Sequence, residues 1–395
     1  MLIEEKLGRL TFQNIVHLDV EAGEATPRMV VGVSAIEENL LDMVRIPTEV
    51  WGSTLFDDVE RIRTVLQQQK LNLEQSFVNA GNSYALGRAY AYTDAPSLLA
   101  QHFGGVDYYR FARDLLARFD DIAEELPATL SGICKKIFVG PLSEGRGGVR
   151  HGVRNVFRHI APLTSFTCTE RACRHFWELG NLLGLPTPAK RGALALEVPE
   201  PQLLREAFVI PTDICFVAKI DDGAHTQAAF SGAWQVAAQA LNYGYLWDEV
   251  RVQGGAYGCS FRVKPDGGMG FSTYRDPNLD ATLERLDRAG AWLAGFEPSE
   301  KEMTGYVVST VATHDAPQKP RFVARRQDTD FLTHRDPRWR DLIRAQERMA
   351  EAGDVRSLAP ALGRVAERNA VCVFGSRSII ESSTANLGIV DLFAE

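Results

Sequence analysis

Neither H-x-x-E-H nor H-E-x-x-H, the two helical arrangements that hold zinc in common metallopeptidases, occurs in the 395 residues. A zinc centre of that kind is not expected on this chain. No apolar run reaches the roughly 20 residues that cross a bilayer, so no membrane segment is expected. The start, Met1-Leu2-Ile3-Glu4-Glu5, carries acid where a secretory leader carries base, which points to a cytoplasmic location. A basic surplus is also lacking. The net charge of -8 and pI near 5.6 leave no footprint for phosphate backbones and exclude a general nucleic-acid binder. Peptides with basic residues suit such a surface better.

Cysteine is sparse. The six cysteines are scattered, and the closest pair, Cys168 and Cys173, lacks the C-x-x-C spacing of a zinc ribbon or redox dithiol. Cys215 and Cys372 lie in apolar, strand-like runs at 214–217 and 371–374, where a free thiol serves as a small buried hydrophobe. A reducing compartment fits this usage.

What is present is a chain long enough, at 395 residues and 45% hydrophobic content, for two domains. The first is placed at 1–185. It has strand signals at 15–20 and 29–33, then a helix from Asp57 on which Ile62, Val65, Leu66, Leu73 and Phe77 recur at helical spacing, with Ser53 or Asp57 as cap. Gly81-Asn82 interrupts it, and further helices are read at 83–92, 97–103 and 107–119. A last strand at 165–169 and a helix at 171–183 close the block, and one sheet on those helices makes the domain. Residues 145–158, rich in glycine and arginine, read as a surface loop, and the proline-rich stretch 186–205 reads as a linker.

The second domain, 206–395, opens with a strand through Ile214, Phe216 and Ala218. An alanine-rich helix from about Thr226 to Trp247 follows, then strands at 257–263 and 270–274. Gly267-Gly268 between them is a hairpin signal, so these strands pair antiparallel and a Rossmann fold is excluded. Asp276-Pro277 reads as an N-cap with proline at the first helical position; Leu279, Leu283, Leu286 and Leu293 mark one buried face, and Ser299 to Glu302 is a capping box. The fold class is α+β: two related domains, each a mainly antiparallel sheet packed against a layer of helices.

The most telling stretch is Trp247-Asp248-Glu249-Val250-Arg251-Val252-Gln253-Gly254-Gly255-Ala256-Tyr257-Gly258. It sets an arginine and a tyrosine around a double glycine. Gly254 and Gly255 let backbone approach a bound chain, the Arg251 guanidinium can grip a carbonyl or carboxylate, and the Tyr257 phenol can donate a hydrogen bond. A tight turn into a strand accounts for the same spacing. A phosphate cradle is the weakest reading, since neither G-x-G-x-x-G nor a Walker lysine follows.

Gly81-Asn82-Ser83-Tyr84-Ala85, Phe103-Gly104-Gly105-Val106-Asp107-Tyr108-Tyr109 and Phe208-Val209-Ile210-Pro211-Thr212 with Val217-Ala218-Lys219 add to the strip that runs from Tyr245 to Gly258. With Ser272-Thr273-Tyr274-Arg275-Asp276-Pro277-Asn278-Leu279, they resemble the C-terminal half of presequence-protease-like enzymes of the pitrilysin family of zinc metallopeptidases. The resemblance implies a clamshell of two halves closing on a peptide. Zinc is expected in the N-terminal half, which carries H-x-x-E-H as a fused or separate partner, and no cofactor is expected on this chain. Arg251 and Tyr257 fall on the family's substrate-holding arginine and tyrosine, Tyr257 as oxyanion donor, with Gly254 and Gly255 leaving room for a substrate strand. The chain then contributes to degrading unstructured peptides but is inactive alone. The alternative is a non-catalytic scaffold or peptide-binding subunit of the same fold. The match begins inside the third domain of the family pattern, so the first domain is expected to lack its N-terminal part and to offer an edge for homo-association.

Other polar clusters read more plainly. His175-Phe176-Trp177-Glu178-Leu179 approaches the inverted zinc motif but has leucine at the second ligand position. His225 after Asp221-Asp222 reads as helix entry, and His314-Asp315 as a C-terminal helix cap. Ser272 lacks a G-x-S-x-G elbow, and Arg275 is expected to pair with Asp276 or a neighbouring helix.

Overall fold

The computed structural model describes residues 2–19, 25–139, 163–178 and 200–394. The loop expected at 145–158 and most of the linker expected at 186–205 lie outside these residues. Strands β1 (Arg9–Leu18) and β2 (Ala25–Ser34) form an antiparallel hairpin. Among the helices that follow are α1 (Val59–Asn79), α2 (Gly81–Tyr90), α3 (Ala95–Gly104) and α4 (Val106–Ala117). The cap of α1 is Asp58, whose carboxylate accepts from the Arg61 N–H at 2.9 Å, so neither Ser53 nor Asp57 fills that role. Ser53 instead ends the preceding helix, Asp42–Ser53. Residues 165–169, expected as a strand, form none; they precede the helix Glu170–Glu178.

Strands β3 (Arg205–Val209), β4 (Cys215–Asp221), β5 (Gly258–Val263), β6 (Met269–Tyr274), β7 (Ala370–Gly375) and β8 (Gly388–Asp391) build one sheet in the order β5-β6-β4-β7-β3-β8. The β5-β6-β4-β7 run is antiparallel, whereas β3 lies parallel to both β7 and β8. The class is α+β. The strand expected through Ile214, Phe216 and Ala218 is β4, and β3 precedes it across Pro211. Strands β3 and β8 carry too few alternating apolar positions to announce themselves.

Central strands β4 and β7 are buried at every position, as strands covered on both faces must be. Alternation sorts their side chains. Val217, Val371 and Val373 face a core built with Trp234, Leu246, Leu286, Leu293 and Leu362. Phe216, Ala218, Cys372 and Phe374 face a second core with Phe77, Ala85, Tyr90 and Tyr109 from α1, α2 and α4. Helices α1, α2 and α4 therefore cover the six-stranded sheet, while α3 packs on the hairpin β1–β2. Their apolar faces were legible, but periodicity does not say which sheet receives them. Gly81 starts α2 directly on the Phe216 ring, where an added Cβ would meet ring carbons at 2.3 to 2.8 Å.

A buried ion network fastens this layer to the sheet. Arg88 on α2 donates to Glu206 on β3 at 2.7 Å and to both Asp107 oxygens at 3.1 Å, and the Tyr92 hydroxyl donates to Glu206 at 2.8 Å. Burial alone would lower the Arg88 pKa, but the two carboxylates outweigh it and hold the guanidinium well above its ordinary range. Removing the cation would strand Glu206. Arg88→Met is expected to cost about 3 kcal/mol in urea denaturation, and Arg88→Met with Glu206→Gln less than the single change. A double variant as unstable as, or less stable than, the single one contradicts this assignment.

Candidate functional site

The helix predicted from Thr226 to Trp247 is in fact three pieces. Thr226 ends a short helix, Gly223–Thr226, and Gln227 turns left-handed at φ 52°. Helix α5 (Gly232–Ala240) then runs without a break into a π-helix, Leu241–Val252. Gly232 is required because an added Cβ would lie 2.3 Å from the Glu347 backbone nitrogen. A π-helix of this length is rare and is associated with functional sites. Its exposed side presents Tyr243, Trp247 and Arg251 at spacings of four.

Two turns bring the strip together. After the π-helix, the Gly255 N–H bonds the Arg251 carbonyl at 3.0 Å and the Ala256 N–H bonds the Val250 carbonyl at 3.2 Å. Gly255 takes φ +78°, which favours glycine. The second turn follows β6, with Arg275 at φ 50°. Its carbonyl accepts from the Tyr257 N–H at 3.1 Å, and the Asn278 amide donates to the Gly254 carbonyl at 2.5 Å. The expected N-cap at Asp276 is absent; helix α6 (Asp280–Ala294) starts four residues later. Asp276 instead accepts from the Asn278 N–H and the Thr282 hydroxyl, both at 2.9 Å, while its backbone pairs with Cys215. An aspartate can close either motif, and here the bond two residues ahead makes an Asx turn.

These turns place Arg251 and Tyr257 side by side. The Arg251 guanidinium lies 4.0 Å above the Trp247 ring and 5.9 Å from the Tyr257 ring centre. Tyr257 meets Tyr274 edge-to-face at 5.9 Å, and the Arg275 guanidinium lies 5.8 Å from Tyr274. Tyr243 stacks beyond Trp247 at 6.4 Å. Tyr257 is 68% exposed, Tyr243 60% and Trp247 41%. Neither Arg251 nor Arg275 makes an ion pair among the described residues, so Asp276 is not the partner of Arg275. Burial pushes the neighbouring Cys259 thiol up to about 11, against the pull of Arg251.

The two glycines have different duties. Gly254 is buried, and a Cβ there would meet the Val250 carbonyl at 2.4 Å and Arg285 Nη1 at 3.0 Å. Its missing side chain leaves room for these internal contacts. Gly255 is exposed and stays on the surface of the strip. Trp247, Tyr243 and Tyr274 were not singled out for the site. The four-residue spacing of 243, 247 and 251 was the available signal.

The remaining clusters are structural. His225 Nδ1 lies 2.6 Å from the buried Asp221, and its backbone N–H bonds the cap Asp222 at 2.7 Å, as helix entry requires. His314, in the last turn of its helix, lies 3.0 Å from the buried Glu347. His175 is half-exposed beside Glu178; Leu179 lies outside the described residues. Ser272 bonds Ser260 across the hairpin at 2.9 Å. No group of three or more His, Cys, Asp or Glu among the described residues could hold a metal ion. The strip itself offers hydrogen-bond donors and ring faces.

Two family descriptions match the chain: the "PreP C-terminal domain" over residues 205–340, which contains the whole strip, and a peptidase-associated domain of the same family over residues 1–115. The chain is similar to the C-terminal half of pitrilysin-family peptidases. Protein HypA of Clostridium perfringens is 25% identical over 379 residues, covering 95% of this chain and 36% of that protein. Presequence protease 1, chloroplastic/mitochondrial, of Arabidopsis thaliana is 25% identical over 321 residues, covering 81% of this chain and 28% of its own length. The chain thus spans about a third of these relatives. A solved structure of pitrilysin superposes with a TM-score of 0.56 at 13% identity, covering 97% of this chain and 38% of that one, and shares the fold. The family's proteins are peptidases, and the fold class expected from the motifs stands.

Asp276 holds both turns, and its burial raises its carboxyl above the ordinary aspartate range despite bonds from Asn278, Thr282 and Thr273. The folded chain therefore binds this proton more readily than the unfolded chain. The group's contribution to stability is full below the unfolded pKa and falls as pH rises through the folded one. Relative to Asp276→Asn, the native chain is expected to lose stability between about pH 4 and neutrality. Urea midpoints measured across that range check this, and a constant difference contradicts it.

Proposed function

We propose that this chain is the metal-free, substrate-holding half of a zinc endopeptidase that degrades unstructured peptides. One observation carries the reading: Arg251, half-buried, and Tyr257, exposed, are adjacent across the Gly254-Gly255 turn, and no carboxylate among the described residues pairs with the guanidinium. The phenol hydroxyl serves as a donor to the scissile carbonyl oxygen as negative charge gathers on it. A donor so placed is worth on the order of 3 kcal/mol. The forked guanidinium orients a peptide carbonyl or carboxylate beside it.

Substrate backbone runs beside Gly255. The Asn242 side chain already pairs with both the N–H and the carbonyl of Phe261, at 2.6 and 3.1 Å, closing that part of the outer edge of β5. A substrate strand is therefore limited to the end of β5 nearest Tyr257, where backbone bonds bind without side-chain preference. The catalytic partner is an H-x-x-E-H half, fused or separate, which supplies the zinc. A cytoplasmic setting is part of the proposal, supported by six cysteines that are all free. Several relatives are presequence proteases named as mitochondrial or chloroplastic.

In the assembled enzyme, Tyr257→Phe is expected to lower kcat about 100-fold with KM little changed, and Arg251→Ala to lower kcat/KM comparably. Steady-state hydrolysis of a quenched fluorescent peptide measures both. Unaltered turnover in both variants removes the assignment.

A further inference from the structure

The Arg251 guanidinium has five N–H donors in its plane, and no ion pair or side-chain hydrogen bond within the described residues uses them. What holds it is the Trp247 ring at 4.0 Å, with Tyr257 at 5.9 Å on another side. The two modes of holding an arginine differ in what they leave free. A carboxylate partner would fix the guanidinium by consuming its in-plane donors. A ring face fixes it through the quadrupole and leaves the donor edge open. Trp247 is itself steadied by Tyr243, stacked at 6.4 Å with its plane 27° away. The π-helix brings these groups to one side by carrying 243, 247 and 251 up its exposed face.

Resting on the reading of Arg251 as a substrate contact, we infer that Trp247 is a positioning residue for that contact. Its indole face aims the guanidinium toward the Tyr257 side without spending the donors that substrate must receive. Tyr243 backs the indole and plays the lesser part. A half-buried arginine with no hydrogen-bond partner among the described residues would otherwise sample several rotamers, and the ring removes that disorder before substrate arrives. Trp247 acts through Arg251, and this separates it from a ring that merely packs or touches peptide.

The test is a double-mutant cycle on kcat/KM for a quenched fluorescent peptide in the assembled enzyme, using Trp247→Ala, Trp247→Phe, Arg251→Ala and the Trp247→Ala/Arg251→Ala pair. Trp247→Ala is expected to lower kcat/KM about tenfold, and Trp247→Phe, which keeps a ring face, to recover most of it. In the Arg251→Ala background, Trp247→Ala is expected to change nothing further. An equal loss in both backgrounds overturns the inference, because the ring then acts independently of Arg251. So does full activity of Trp247→Ala alongside an impaired Arg251→Ala. A neutral Arg251→Ala removes the underlying reading and the inference with it.

Discussion

The six-stranded sheet is buried on both faces, and that constraint governs the rest of the molecule. β4 and β7 hold apolar side chains on alternate sides, so neither can be stable with one layer of helices alone. One layer comes from α5, the π-helix, α6 and their neighbours; the other comes from α1, α2 and α4, far earlier in the chain. Phe77, Phe208 and Phe374 meet at the second interface with ring centres 4.9 to 5.6 Å apart along the chain of contacts. Each such ring, fully buried, contributes about 2 kcal/mol or more. The Arg88 network sits at the same junction, where an ion pair is stabilising only because every partner is in place.

The site inherits its rigidity from that sheet. Tyr257 lies one residue before β5 and Tyr274 ends β6, so the hairpin between them sets their separation. Arg251 comes from the other side, at the end of the π-helix, and the Gly254-Gly255 turn joins the two. Asp276 and Asn278 lock this turn to the one after β6, and Asp276 is tied through its backbone to Cys215 in the sheet centre. The backbone that carries these groups is thus bonded on both sides. That arrangement suits a surface that must present donors in fixed places to a flexible chain.

Local signals were legible where one residue type has one physical use. Leu279, Leu283, Leu286 and Leu293 are all buried, the Ser299–Glu302 capping box is formed, and Gly267 takes φ +84° in the turn between the paired strands. Arg251 and Tyr257 were named from the strip and are neighbours in space. What escaped the sequence were features decided by partners. Asp276 carries the same chemistry in a helix cap and in an Asx turn, and only the sheet contact through Cys215 selects the turn. Nothing in composition distinguishes a π-helix from an α-helix, so 241–247 read as the end of an ordinary helix and its continuation to Val252 went unread. The packing around Gly254 was not legible either, because the Val250 carbonyl and Arg285 come from backbone geometry and a distant helix. The short strand β8, with two exposed positions of four, is a strand only because β3 lies beside it.

The central claim is that this chain lends donors to a reaction whose metal lies elsewhere. Its most direct test is hydrolysis of a quenched fluorescent peptide by the purified chain with zinc, in the presence and absence of its H-x-x-E-H half. The account predicts no hydrolysis by the chain, and turnover on mixing that exceeds that of the other half alone. Association of the halves with no gain in turnover would contradict it and make the chain a scaffold or peptide-binding subunit.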